Sequence, residues 1–206
     1  MKVKDYRLVD GQEPFEMIQA RKAELLHQIK QKHPRSNNHY NIVKTKSDPF
    51  HKQFALIYNE RCGYCGITYQ VRPSSDFEID HFLCKSSGRD GVNLLDNLVY
   101  SCHFCNHKKH EYLIDESVKS ILNPDFGINK TFYRDEMMHI RIRDVYQSNV
   151  QVNDFYDKIQ FSNERRRIEF LLVSLISYKD YLVDERAILA FSKIIDIIRE
   201  SYNRKY

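Results

Sequence analysis

Two Cys-x-x-Cys pairs, Cys62 with Cys65 and Cys102 with Cys105, constrain this chain more than any other feature. A Cys-x-x-Cys turn places two thiolates on one side of a tight knuckle, and two knuckles supply the four soft ligands that tetrahedral zinc prefers. Gly63 and Gly66 suit such a turn. The segment between the pairs, residues 66–101, is longer than in a simple zinc ribbon, so something is inserted between the knuckles. The alternatives are two redox dithiols, two disulfides or four merely buried thiols. Redox motifs usually come singly beside a βαβ pattern, and disulfides imply an exported chain. Here Met1 is followed by charged residues without an apolar signal core, which predicts a chain that stays inside the cell. The pattern therefore predicts a structural zinc on Cys62, Cys65, Cys102 and Cys105. Cys84, the fifth cysteine, is expected to be a small packed side chain.

The insert carries polar residues at telling places. Phe77, Ile79 and Phe82 predict a strand with Asp80 and His81 near its end. Neighbouring strand residues point to opposite faces, so these two share a site only if the strand bends or stops there. Gly88 to Gly91 predicts a loop, Asn93 to Ser101 a returning strand, and the chain from about Cys102 a helix bearing His103, His107 and His110. Asn106 and His110, four apart, would share one helix face. The implied unit is two antiparallel strands followed by one helix.

With these residues in place, the stretch from Arg61 to Glu111 resembles an HNH endonuclease domain, a ββα-metal nuclease often framed by two Cys-x-x-Cys knuckles. The family's Asp-His pair matches Asp80 and His81, and its middle Asn followed by Leu matches Asn97 and Leu98. The third position, commonly His, is Asn106, giving an HNN variant. The resemblance implies catalytic roles for Asp80, His81, Asn97 and Asn106, products with a 5′ phosphate and a 3′ hydroxyl, and an additional metal ligand at His110.

The chemistry explains why these residue types are needed. Phosphodiester hydrolysis requires an activated water, a cation for the charge developing on phosphate, and stabilisation of the leaving oxygen. A neutral imidazole suits His81 to take the proton from water. Asp80 and Asn106 offer hard oxygens to Mg²⁺ or Mn²⁺; His110 would favour softer ions. Asn97 is expected to hold the loop before the helix so that His81 points at the water.

Elsewhere the periodicity predicts helices over 13–32, with Pro14 in the first turn, over 48–59 capped by Asp48, from Ser162 or Asn163 through Tyr181, and over 184–202. Residues 33–47 read as a polar loop, 113–122 as a loop with a helical turn, and 131–133 and 139–145 as strands. Between Arg21 and Lys46, seven cations face the single anion Glu24, whereas the whole chain carries a net +4. Such a segment is a candidate for phosphate contacts, with a solvated face as the bland alternative. Lys108, Lys109 and the run Arg165-Arg166-Arg167 raise the same choice. In the run, Glu164 and Glu169 are simpler partners than a phosphate.

Apolar residues make up 42% of the 206 and aromatics 13%, enough for a real core. No apolar run reaches membrane-spanning length. The predicted fold class is α+β, mainly helical, with a central ββα-metal unit framed by a four-cysteine zinc site. Its expected parts are an N-terminal helical extension (1–60), the nuclease core (61–112) and a C-terminal strand segment with a helical addition (113–206). Outside the core, the motifs ILNP and IQFSNERRR, with LDNLVYSCHFCNHKK, resemble small HNH nucleases encoded beside an ATPase in bacterial anti-phage systems of the Septu and retron types. This implies an ATPase partner; the chain itself carries no Walker P-loop. The function expected is a cytoplasmic, Mg²⁺- or Mn²⁺-dependent endonuclease acting on DNA, with RNA as a second possible substrate. The rivals are a stand-alone restriction or homing nuclease and a zinc-stapled binding module without catalysis.

Overall fold

The computed structural model describes residues 5–205. Helix α1 spans Ile18–Lys32 and buries Ile18, Leu25 and Ile29 against Phe50, Phe54 and Ile57 of α3 (Pro49–Ile57). Each such side chain contributes about 1.5–3 kcal/mol relative to exposure. The start of α1 is later than the periodicity predicts. Pro14 lies outside the helix, and Met17 precedes it in the left-handed region at φ 53°. Asp48 caps α3 as expected, its Oδ1 accepting from the Phe50 amide at 2.8 Å, with Pro49 in the first turn. The polar stretch before it is not all loop. Asn38 accepts from the Asn41 amide and caps a short helix α2, His39–Val43, whose Val43 is fully buried.

Strand β1 (Phe77–His81) pairs antiparallel with β2 (Leu98–Cys102), with Phe77 opposite Cys102 and His81 opposite Leu98. Residues 95–97 form a tight helical turn rather than the start of the strand, so β2 begins five residues later than expected. Its last residue, Cys102, leads directly into helix α4 (His103–Lys109), which packs on both strands. One cysteine thus ends the hairpin, opens the helix and joins the second knuckle.

After a helix α5 (Glu116–Leu122) and a single turn α6 (Ile128–Thr131), strands β3 (Phe132–Arg134) and β4 (Ile140–Ile142) form a second hairpin, with β4 shorter than predicted at both ends. Helix α7 (Val150–Lys158), which the periodicity reading passed over, closes on it. Phe132, Phe155, Phe161 and Tyr6 meet there largely edge to face, and the ring of Tyr64 of the first knuckle lies 6.4 Å from that of Phe155. The hydrophobic core runs on from Tyr6 and α1 through the knuckles to Phe170 and Val173 of helix α8 (Glu164–Lys179).

Asn163 caps α8 by accepting from the Arg165 amide at 2.9 Å. The final helix α9 (Glu185–Lys205) packs on α8. Its apolar stripe is less buried than predicted: Ile195 is covered, whereas Leu189 and Ile194 are exposed. Likewise Leu171, Leu175 and Ile176 of α8 are only half-buried, while Arg166 and Glu169 of that helix are buried. No helix among the described residues is long and apolar enough to cross a membrane.

Candidate active site and metal centre

The four knuckle cysteines are buried and their sulfurs lie within 4.8 Å of one another. Zinc–sulfur bonds of about 2.3 Å arranged as a tetrahedron place sulfurs about 3.8 Å apart, and Cys65 and Cys102 stand at 3.9 Å. The donors therefore fit zinc in identity, number and spacing. At the first knuckle, Gly66 adopts φ 79° and sends its amide to the Cys62 carbonyl at 2.9 Å. A Cβ there would meet the Arg7 carbonyl oxygen at 2.0 Å, so only glycine fits.

The surroundings supply a counter-charge. Arg166 Nη2 donates to Cys105 Sγ at 3.1 Å and Nη1 lies 3.9 Å from Cys102 Sγ. Burial disfavours the guanidinium's charge, but the thiolates of Cys105, Cys65 and Cys102, together with Glu169, hold its pKa well above the ordinary value. The arginine run is thus internal wiring. Arg165 pairs with Glu169 at 3.0 Å, Arg167 with Glu164, and Arg72 reaches Glu169 from the segment after the first knuckle. The phosphate reading of Arg166 is overturned by its burial. Similarly, Lys22 lies fully buried and donates to the Leu98 carbonyl at 2.7 Å and to Asp125 at 2.6 Å, so it cannot be a phosphate contact of the basic segment.

Asp80 and His81 end β1, and the strand's alternation sends them different ways. Asp80 Oδ2 accepts from the Tyr64 hydroxyl at 2.6 Å, and Oδ1 accepts from Lys109 Nζ at 3.1 Å. Lys109 also donates to the His81 carbonyl at 2.7 Å and is fully buried, so it is a structural partner of the Asp-His pair rather than a solvated helix residue. His81 turns to the other side, where Nε2 meets Asn93 Oδ1 at 2.9 Å and the ring lies 4.3 Å from that of Tyr40 on α2. Burial lowers its pKa, helped by the charges of Lys85 and Lys109, although the Asn93 contact and Asp80 act in the opposite sense. The imidazole is accordingly neutral at neutral pH.

Because the strand stops at His81, both residues still border one cavity of about 320 Å³, together with Glu78, Lys85, His103, Asn106, His107 and His110. The hydrogen bond of Asn106 goes to Glu78 rather than Asp80: its Nδ2 donates to Glu78 Oε2 at 2.5 Å, while His103 Nδ1 meets Glu78 Oε1 at 2.6 Å. Burial opposes ionisation of Glu78, but those two hydrogen bonds outweigh it and hold its carboxyl below the usual range. His110 is not on the helix face with Asn106. It follows the last turn of α4 at φ 45° and reaches the cavity from there. Asn97 is outside the cavity. Its Oδ1 accepts from the Leu83 amide at 2.8 Å and its Nδ2 donates to the Leu83 and Val92 carbonyls at 2.9 and 2.8 Å, tying both ends of the 82–97 loop. Cys84 is buried beside Ser86 and the Glu111 carbonyl, as a packed thiol.

The oxygen donors of Glu78, Asp80 and Asn106 border the same space, a chemistry that fits a hard divalent cation. Among the described residues the four cysteines are the one set of His, Cys, Asp or Glu groups whose ligand atoms converge tightly. Glu78, Asn93, Tyr40 and the buried role of Lys109 were missed from the sequence. Glu78 alone carried a signal, since its spacing of two from Asp80 puts it on the same strand face. A larger cavity of about 600 Å³, lined by Tyr6, Arg134 and Phe170 among others, shares no residue with this one.

Residues 62–111 match the family model described as HNH endonuclease. No curated protein and no solved structure matches the chain. The chain thus carries an HNH endonuclease domain, which implies a metal-dependent nuclease unit that binds nucleic acid, within an α+β fold whose cluster of four cysteines suits zinc.

Proposed function

We propose that the protein is an endonuclease that hydrolyses DNA phosphodiester bonds with Mg²⁺ or Mn²⁺, on a zinc-stapled frame. The observation that supports this most is the meeting of Asp80, His81 and Asn106 at one cavity inside the matched segment. Asp80 and Asn106, with Glu78 on the same cavity wall and His110 at its edge, would hold the cation. Bound there, the cation takes up charge that develops on the phosphate and the leaving oxygen.

The chain's own residues do the rest. His81, neutral because buried, accepts the proton of the attacking water. Asn97 holds the loop that faces it. Lys109 and Tyr64 fix the Asp80 carboxylate, Lys109 lying 3.1 Å from both oxygens and Tyr64 donating to Oδ2, which leaves Oδ1 the freer lone pair for a cation. The cleaved ends, by resemblance to the family, are a 5′ phosphate and a 3′ hydroxyl. The motifs ILNP and IQFSNERRR, which resemble small HNH nucleases of the Septu and retron types, support a place in a bacterial anti-phage system with a partner ATPase, and the proposed location is the cytoplasm.

The engagement of both Asp80 oxygens by protein donors favours one other reading, a zinc-stapled nucleic-acid-binding module without catalysis. Incubating the protein with supercoiled plasmid, single-stranded DNA and RNA separates the two. The nuclease reading expects DNA cleavage with Mg²⁺ or Mn²⁺ and none with EDTA. Retention of DNA without cleavage, alone and with the partner ATPase, would favour the binding module.

A further inference from the structure

Asn93 belongs to neither the cysteine frame nor the Asp-His and Asn positions of the nuclease motif, yet its side chain meets the imidazole of His81 directly, Oδ1 to Nε2 at 2.9 Å. Its placement is over-determined. The Tyr40 amide donates to the Asn93 carbonyl at 3.1 Å, the neighbouring Val92 carbonyl is held by Asn97 Nδ2 at 2.8 Å, and the Leu95 amide donates to His39 Nδ1 at 3.1 Å. Two residues of α2 and the loop-tying asparagine therefore clamp the backbone on both sides of Asn93. The Tyr40 ring, 4.3 Å from that of His81, further restricts the imidazole.

A neutral imidazole carries one N–H and one bare nitrogen, and a hydrogen bond at one decides the state of the other. An amide oxygen can only accept, so it selects the proton on Nε2. Nδ1 is then the bare nitrogen, and the contact with Asn93 is made by Nε2 alone. We propose that Asn93, braced by α2, is a positioning residue that fixes His81 in the Nε2–H tautomer and makes Nδ1 the atom that receives the proton from water. The consequence for cleavage rests on the nuclease reading above; the tautomer itself does not.

The test uses zinc-loaded protein labelled with ¹⁵N at histidine, with His81→Gln identifying the His81 signals. In the wild type at neutral pH, Nδ1 is expected to show the shift of an unprotonated nitrogen and Nε2 that of N–H. Asn93→Asp, whose carboxylate can only accept, retains this pattern, and Asn93→Leu lets the ring average between tautomers. In cleavage, Asn93→Leu lowers kcat on the order of 10- to 100-fold, as loss of an orienting partner does, with KM unchanged and Asp restoring most of the rate. Nδ1 carrying the proton in the wild type, inversion of the tautomer in Asn93→Asp, or an unchanged spectrum in Asn93→Leu would each overturn the proposal. The expected spectra in a protein that cuts nothing would leave the positioning standing and remove the nuclease reading instead.

Discussion

The guanidinium of Arg166 donates to Cys105 Sγ at 3.1 Å, joining the second helix from the C-terminus to the cysteine cluster across 61 residues of chain. Four thiolates around a divalent ion leave two net negative charges in a buried place, and this arginine sets a cation directly against them. It also links the cluster to Glu169, which binds Arg72, Arg165 and Tyr202 of the last helix. The helical addition is thereby wired to the metal centre by charge as well as by packing.

Replacing Arg166 by Met keeps much of the volume and removes the charge. Breaking a buried pair by deleting one partner costs about 3–5 kcal/mol, and a loss of that size in urea unfolding is expected, with faster zinc loss to a chelator. Unchanged stability and metal retention would show that the contact is incidental.

Cys102→Ser removes a zinc ligand at the junction of β2 and α4. Structural zinc contributes about 10–16 kcal/mol of apparent binding energy in small metal-folded units, comparable to the whole stability of a domain. The variant is expected to lack zinc by elemental analysis and to be unfolded by circular dichroism. A soluble variant that unfolds cooperatively without zinc would make the frame dispensable.

The cysteine frame, the hairpin and α4 were legible because spacing in the sequence maps directly onto a knuckle, a strand and a helix. The wiring was not. Arg166, Lys22 and Lys109 look like surface cations by residue type, and only the fold shows that each sits on a buried thiolate, carboxylate or carbonyl. Tyr40 and Asn93 escaped for a related reason: they reach His81 through long-range contacts from a five-residue helix and a loop, and neither carries a periodic signal. Asn97 makes three hydrogen bonds to the backbone of the 82–97 loop, at Leu83 and Val92. The predicted start of α1 failed at Met17, where the backbone turns left-handed before the helix begins.

Lys109→Met leaves the Asp80 carboxylate with Tyr64 as its partner in a buried place. A destabilisation of about 3–5 kcal/mol is expected. The double variant with Asp80→Asn should recover part of it, because the unbalanced charge is gone. Additive effects in a double-mutant cycle would contradict the coupling between these two residues.

Asn97→Ala strands the Leu83 amide and the Leu83 and Val92 carbonyls together. A fully buried group left without a partner costs about 1–3 kcal/mol, and these half-buried ones, which water can reach, cost less. Hydrogen exchange is expected to quicken across residues 82–97 while zinc content stays unchanged. Exchange as slow as in the wild type would show that the loop does not depend on this side chain.

The central claim is that His81 takes the proton from the attacking water, and the most direct test is the rate of supercoiled-plasmid cleavage by the wild type and His81→Ala at equal zinc content. Positioned general bases contribute about 10²- to 10⁴-fold. The account predicts a fall of that size with zinc content and unfolding midpoint unchanged. Equal cleavage rates in the two proteins would contradict it.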